Sequence, residues 1–248
     1  MNQGQDQGQG ERVSKHIARS GLCSRREADR WIEKGRVQID GKTVIALGTR
    51  VKSALQITVD GKSLPQQSAP RLWRFYKPVG LVTTHKDPEG RPTVFSALAK
   101  KLPRVVSVGR LDMYSEGLLL LTNDGMLART LELPKSKIKR HYRVCVEGHV
   151  DVEKLSALKK GIDIEGVRYE GIHIGLEKQK KNTCWLHIIL QEGKNREIRR
   201  IMTFFGYTIL KLIRTKYGPF DLGNLKPGEV EEVPSAVLDD YISRDLRK

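Results

Sequence analysis

Cysteine is scarce in this chain of 248 residues: Cys23, Cys145 and Cys184 are the only three, and they stand far apart. No CxxC pair exists to hold zinc or run thiol exchange, and the odd count argues against a disulfide framework, so we read them as small buried hydrophobes. The six histidines form no HExxH or similar spacing, which leaves metal hydrolysis and zinc deamination without ligands; no metal is expected. Glycine-rich phosphate loops are missing too. There is no GxGxxG after a strand and no GxxxxGK[ST], so neither a dinucleotide nor a nucleoside triphosphate has its usual cradle, and no cofactor is expected. No apolar run approaches the ~20 residues that span a bilayer. The start, Met1-Asn-Gln-Gly-Gln-Asp-Gln-Gly-Gln-Gly10, has neither the basic opening nor the apolar stretch of a secretory signal. A cytoplasmic chain without membrane contact is the expectation.

Positive charge is abundant. Lys and Arg number 45 against 29 Asp and Glu, a formal net charge of +16 that points to a polyanionic partner, nucleic acid first. Residues 11 to 62 carry 12 basic and 6 acidic side chains and residues 63 to 248 carry 33 and 22, so the whole chain is basic. Residues 1 to 10 are too poor in apolar side chains to offset the entropy of ordering and read as a disordered tail. Val13, Ile17 and Ala18 then follow helical spacing up to Gly21. Ser24 and Glu27 fit a capping box for a second helix, with Ala28, Trp31 and Ile32 as its apolar stripe and Gly35 as its stop. Arg25, Arg26, Arg30 and Lys34 make its polar face. Val37, Ile39 and Val44 alternate around Asp40-Gly41, a strong hairpin signal, and Ile57 and Val59 precede Asp60-Gly61. Leu64-Pro-Gln-Gln-Ser-Ala-Pro70 has linker composition, so we divide the chain into a small module, 11–62, a linker, 63–70, a larger domain, 71–236, and a C-terminal tail, 237–248.

Beyond the linker the periodicity is mainly of strand type: Leu72 to Tyr76, Leu81 to Thr84, Val105 to Val108, Leu118 to Thr122, His141 to Glu147, Val167 to Leu176, Cys184 to Gln191 and Thr208 to Tyr217. Helices are expected near Val152 to Lys160 and Asn195 to Phe205, the second capped by Asn195. Together these predict an α+β protein: a small N-terminal αβ module followed by a larger domain on a mixed, mainly antiparallel sheet.

Three segments carry candidate chemistry. Gly109-Arg-Leu-Asp112 joins two strands and places Arg110 and Asp112 at a turn; alone, such an aspartate is most often a turn residue. In Lys139-Arg-His-Tyr-Arg-Val-Cys-Val146, alternation sets Tyr142 on the face of Val144 and Val146, as a core tyrosine would be. In Glu192-Gly-Lys-Asn-Arg-Glu-Ile-Arg-Arg-Ile-Met202, Ile198, Ile201, Met202 and Phe205 form a buried stripe and leave Arg196, Arg199 and Arg200 off it.

The run Arg12 to Gly41 resembles the RNA-binding module shared by a small-subunit ribosomal protein and bacterial tyrosyl-tRNA synthetases, in which the basic helix face lies on an RNA backbone. Gly109-Arg-Leu-Asp112 with Ser115-Glu-Gly-Leu-Leu-Leu-Leu-Thr-Asn-Asp-Gly125 resembles the catalytic motif of RNA pseudouridine synthases of the RsuA/RluB branch. Tyr76-Lys77-Pro78-Val-Gly80 is similar to that family's first motif, a Lys-Pro turn bracing the cleft. The resemblance covers nearly all of residues 11 to 235. It implies that Asp112 is the nucleophile, that Tyr142 stacks on the target base and is placed for proton transfer, and that Arg199 pairs with the aspartate. A guanidinium beside a carboxylate favours its ionised form, which nucleophilic attack requires. Arg110 and Lys77 are expected to hold the substrate, and Arg196 and Arg200, with Arg25, Arg26, Arg30 and Lys34, to contact the RNA backbone.

The implied reaction is isomerisation of uridine to pseudouridine in ribosomal RNA, free or in a pre-ribosomal subunit. Thr122-Asn-Asp-Gly125 and Asn195-Arg-Glu-Ile-Arg199 are nearer to the large-subunit (23S) members of the branch than to the small-subunit (16S) ones. The rival readings are a non-catalytic RNA-binding ribosome-assembly factor and a nucleoside glycosidase releasing free uracil. Against the first stands the conjunction of Asp112, Tyr142 and Arg199, which mere binding does not require. Short loops and no coiled-coil repeat predict a monomer.

Overall fold

The structure, a computed structural model, describes residues 10–51 and 55–246. Apart from Gly10, the expected N-terminal tail lies outside the described residues. The chain divides into two compact units, Met1–Pro70 and Arg71–Lys248.

The first unit runs β1 (Glu11–Arg12), α1 (Val13–Arg19), α2 (Arg25–Glu33), β2 (Val37–Ile39), β3 (Lys42–Val44), β4 (Arg50–Val51), β5 (Ile57–Val59) and β6 (Lys62–Ser63). The Ser24 hydroxyl accepts from the Glu27 backbone N–H at 3.1 Å and so caps α2. Asp40 and Gly41 both take positive φ (49° and 78°), the geometry of a two-residue hairpin turn that suits the strand twist. Val13, Ile17, Ala28, Ile32, Val37 and Val59 form the unit's core. Arg25, Arg26, Arg30 and Lys34 are all exposed, and none has an ion pair among the described residues.

The second unit runs β7 (Leu72–Lys77), α3 (Val94–Leu98), β8 (Val106–Ser107), β9 (Glu116–Thr122), α4 (Gly125–Glu132), β10 (Arg140–Glu147), α5 (Val152–Ser156), β11 (Ile162–Ile164) and β12 (Val167–Tyr169). It continues with β13 (His173–Gln179), β14 (Thr183–Leu190), α6 (Glu197–Phe204), β15 (Ile209–Tyr217), β16 (Phe220–Asp221), β17 (Val230–Glu232) and α7 (Ser235–Tyr241). The main sheet has the order β13-β14-β10-β15-β9-β7-β17, with β16 on β15 and β8 on β9. Within it β9 and β15 are parallel and the other pairs antiparallel, so the fold is the α+β, mainly antiparallel one expected.

β9 is buried along its whole length. Leu119 and Leu121 enter the core that holds Tyr142 and α6, while Leu118 and Leu120 enter the opposite core against α4 and α7. Coverage of both faces is why this strand reads as a run of four leucines and not as an alternation.

Some expectations fail. Leu81 to Thr84 is no strand but a loop with one bridge, Val82 to Thr93. Val167 to Leu176 is split between β12 and β13. The expected tail from residue 237 is helical through Tyr241, and Leu238 is buried under the sheet; one apolar side chain per turn anchors it. Asn195 does not cap α6. Arg196 holds the N-cap position in the left-handed conformation (φ 51°), and the Glu197 carboxylate accepts the Lys194 backbone N–H at 3.0 Å instead.

Candidate active site

Asp112 sits in the loop between β8 and β9 with its side chain about one-third exposed (34%). The loop before it turns at Gly109 (φ 66°), whose N–H is donated to the Glu132 carboxylate of α4. Every carbonyl from Arg110 to Ser115 then accepts a hydrogen bond. The donors are the Arg214 guanidinium to Arg110 (3.5 Å), the Thr83 hydroxyl to Leu111 (2.8 Å), and the Ser115 N–H to Asp112 (3.0 Å). The Gly80 N–H serves Met113 (2.8 Å), the Arg199 guanidinium Tyr114 (2.8 Å) and the Lys77 ammonium Ser115 (2.8 Å). Six consecutive acceptors, engaged from the stretch 77–83, from α6, from β15 and from the loop itself, leave the loop few alternative conformations, so the carboxylate is presented from a fixed backbone.

Lys77 is wholly buried (0% exposed) and also donates to the Pro78 carbonyl at 2.9 Å. Burial pulls its ammonium down to about 8, against the opposing pull of Asp112 and Glu116. The expectation that Lys77 touches RNA is therefore corrected: a sealed side chain at the end of β7 braces the loop and has no path to a substrate. Arg214 was not foreseen. It lies on β15 beside Gly117, is 3% exposed, and donates to the Leu118 carbonyl at 2.7 Å.

Tyr142 lies on β10 across from Arg214 of β15 and Ile188 of β14, and is 8% exposed. It shares one continuous core with Leu111, the residue before Asp112, and with Ile198, Ile201 and Met202 of α6. The structure thus brings the loop, β10 and α6 together around a largely buried tyrosine.

The guanidinium at ion-pair distance from Asp112 belongs to Arg196, with Nη1 to Oδ2 at 3.8 Å, and not to Arg199 as expected. The left-handed N-cap turns Arg196 back toward the loop, whereas Arg199, one turn along α6, is spent on the Tyr114 carbonyl. Burial and the neighbouring Arg196 cation lower the Arg199 guanidinium below its usual value, with Asp112 opposing. Arg110 and Arg200 are exposed. Behind Arg196, Glu197 is buried beside Glu192, which accepts the Glu170 N–H at 2.7 Å and pairs with Lys194. Burial and the Glu192 charge push the Glu197 carboxyl up to about 8, so it keeps its proton at neutral pH. Two acids five residues apart in an arginine-rich stretch gave no sign of this in sequence.

Residues 71–203 match the family model described as RNA pseudouridylate synthase, and residues 11–57 match the S4 domain. The chain belongs to the RNA pseudouridine synthase family: it is an isomerase of uridine in RNA, with an S4 RNA-binding domain ahead of its catalytic domain. An uncharacterized RNA pseudouridine synthase of Rickettsia felis is 49% identical over 229 residues, covering 92% of this chain and 99% of that one. Ribosomal large subunit pseudouridine synthase B of Yersinia pestis is 40% identical over 220 residues, covering 86% of this chain and 69% of that protein. A crystal structure of a pseudouridylate synthase superposes with a TM-score of 0.63 at 25% identity, covering 92% of this chain and 98% of the other. Among the described residues no helix is long and apolar enough to cross a membrane, and no cluster of His, Cys, Asp and Glu is built to hold a metal ion.

Proposed function

We propose that this enzyme converts one or a few uridines of large-subunit (23S) ribosomal RNA to pseudouridine, working as a cytoplasmic monomer with Asp112 as its nucleophile. The observation that carries the chemistry is the fully hydrogen-bonded loop that holds Asp112 beside Arg196 and over the core that contains Tyr142. Support for the target comes from the relatives of 40–41% identity, which are named for the ribosomal large subunit.

The target uridine leaves its stack at a cost of a few kcal/mol and is gripped in the cleft, its base against Tyr142. The C1′–N1 bond breaks with Asp112 acting on the nucleotide, the uracil rotates, and C1′–C5 forms. The C5 proton is lost and N1 gains one, so atoms balance without a redox partner. Arg196 stands at ion-pair distance from the carboxylate and meets the backbone phosphate, Arg199 holds the loop through Tyr114, and Arg110 and Arg200 contact the RNA backbone. The exposed cations of α2, Arg25, Arg26, Arg30 and Lys34, bind neighbouring RNA by its phosphates.

The test is single-nucleotide pseudouridine mapping in unmodified transcripts of both ribosomal RNAs after incubation with the enzyme. New pseudouridine confined to the large-subunit transcript is the expected result. Modification of the small-subunit transcript alone would overturn the target, and binding without modification, even of a subunit precursor, would favour an assembly factor.

A further inference from the structure

A cavity of about 280 Å³ opens beside the Asp112 loop, lined by Arg196 and Arg199 of the α6 region, Thr203 and Gly206 at the end of that helix, and Tyr207, Thr208 and Ile209 leading into β15. Neither Asp112 nor Tyr142 lines it, so it is not the place where the target base reacts. It is nevertheless one side chain away, because Arg196 reaches both the cavity and the Asp112 carboxylate.

The lining has a definite chemistry. Arg196 pairs with Asp112 at this edge whereas Arg199 has no carboxylate at ion-pair distance, which leaves surplus positive charge at the cavity, and the Arg199 Nε is buried without an acceptor. Planar guanidinium pairs suit a phosphate. Thr203 and Thr208 are exposed residues, and the hydroxyl of neither has a hydrogen-bond partner among the described residues. A hydroxyl can both give and take a hydrogen bond, as can a ribose 2′-OH. Tyr207, whose own hydroxyl is occupied by the Asp151 N–H at 3.3 Å, offers an aromatic wall with Ile209 beside it. The volume lies below the ~300–1,000 Å³ of pockets for drug-sized ligands, which fits one nucleotide and not a stacked pair.

We infer that this cavity is a subsite for the ribonucleotide adjoining the target uridine, its phosphate between Arg196 and Arg199 and its 2′-OH on Thr203 and Thr208. The inference rests on the enzyme acting on RNA and not on which ribosomal subunit supplies it. Filling the subsite draws Arg196 toward the phosphate, so occupancy by the correct neighbour is felt at Asp112. A deoxyribose at that position loses the hydroxyl contacts and binds less well.

The experiment compares wild type with Thr203→Val/Thr208→Val on transcripts of both ribosomal RNAs, so that whichever is modified serves as substrate. Synthetic versions of the modified segment then carry single 2′-deoxy substitutions at the positions flanking the target. Two lost uncharged hydrogen bonds raise KM about fivefold to fiftyfold in the double variant. One flanking 2′-deoxy substitution raises KM for wild type but not for the variant, while the unfolding midpoint is unmoved because both threonines are at the surface. Equal 2′-deoxy sensitivity in the two proteins, or none in either, would overturn the subsite whatever the target subunit proves to be.

Discussion

At the residue scale the loop around Asp112 separates side chains that meet RNA from side chains that only hold the protein. Lys77 is of the second kind. Lys77→Met removes donors from the Ser115 and Pro78 carbonyls and loosens the loop; steady-state kinetics should show kcat falling about 10²-fold with KM little changed, since ångström-scale misplacement of a reacting group costs that much. An unchanged kcat with raised KM would return Lys77 to the RNA-binding set. Arg200 is of the first kind. It is exposed and without an ion pair among the described residues, so Arg200→Ala should weaken binding and reduce the slope of log affinity against log salt by about one, with kcat retained. Arg196 belongs to both kinds, and its replacement by Ala should lower kcat and raise KM together.

At the element scale two features decide whether the site is assembled. β9 and β15 run parallel at Gly117, where φ is 99° and a Cβ would overlap the Arg214 backbone. Gly117→Ala should cost about 3 kcal/mol or more, read from denaturant unfolding, because strain and overpacking coincide. The second feature is the turn before α6. Its Glu197 titrates at about 8 when folded against an ordinary value of 4.5. Between those values the folded chain keeps a proton that the unfolded chain has released, so stability falls as pH rises through that window. Glu197→Gln should match wild type in thermal midpoint at pH 5 and exceed it at pH 8. A gap of the same size at both values would contradict the shift.

Legibility in the sequence also divides at this scale. Hairpins at Asp40-Gly41 and Asp60-Gly61, the cap at Ser24 and the main strands were readable because turn chemistry and alternation are local signals. Asp112 and Tyr142 were found through motif resemblance, since a turn aspartate and a core tyrosine look ordinary. α4 was missed although Asp124 caps it by accepting from Met126 and Leu127, because a helix of eight residues gives a short periodic signal. The ion pair of Arg196 was misassigned to Arg199 because it depends on a left-handed φ at a non-glycine residue, which spacing does not reveal. The burial of Lys77 depends on segments far apart in the chain, and the raised Glu197 carboxyl on its burial beside Glu192.

At the scale of the whole molecule, a basic S4 domain and a catalytic domain with surplus cations of its own are both suited in charge to RNA. Neutralising Arg25, Arg26 and Arg30 together should weaken RNA binding and flatten its salt dependence by about three in log–log slope while leaving single-turnover kcat intact at saturation. An undiminished salt slope would place the RNA elsewhere. On this mechanism Asp112 performs the chemistry. The most direct test is single-turnover pseudouridine formation at the mapped uridine by wild type, Asp112→Asn and Asp112→Ala, with RNA affinity measured on the same samples. Affinities should stay near wild type and rates should fall by about four orders of magnitude or more in both variants. A variant that binds and still modifies the uridine at a rate near wild type would contradict this mechanism.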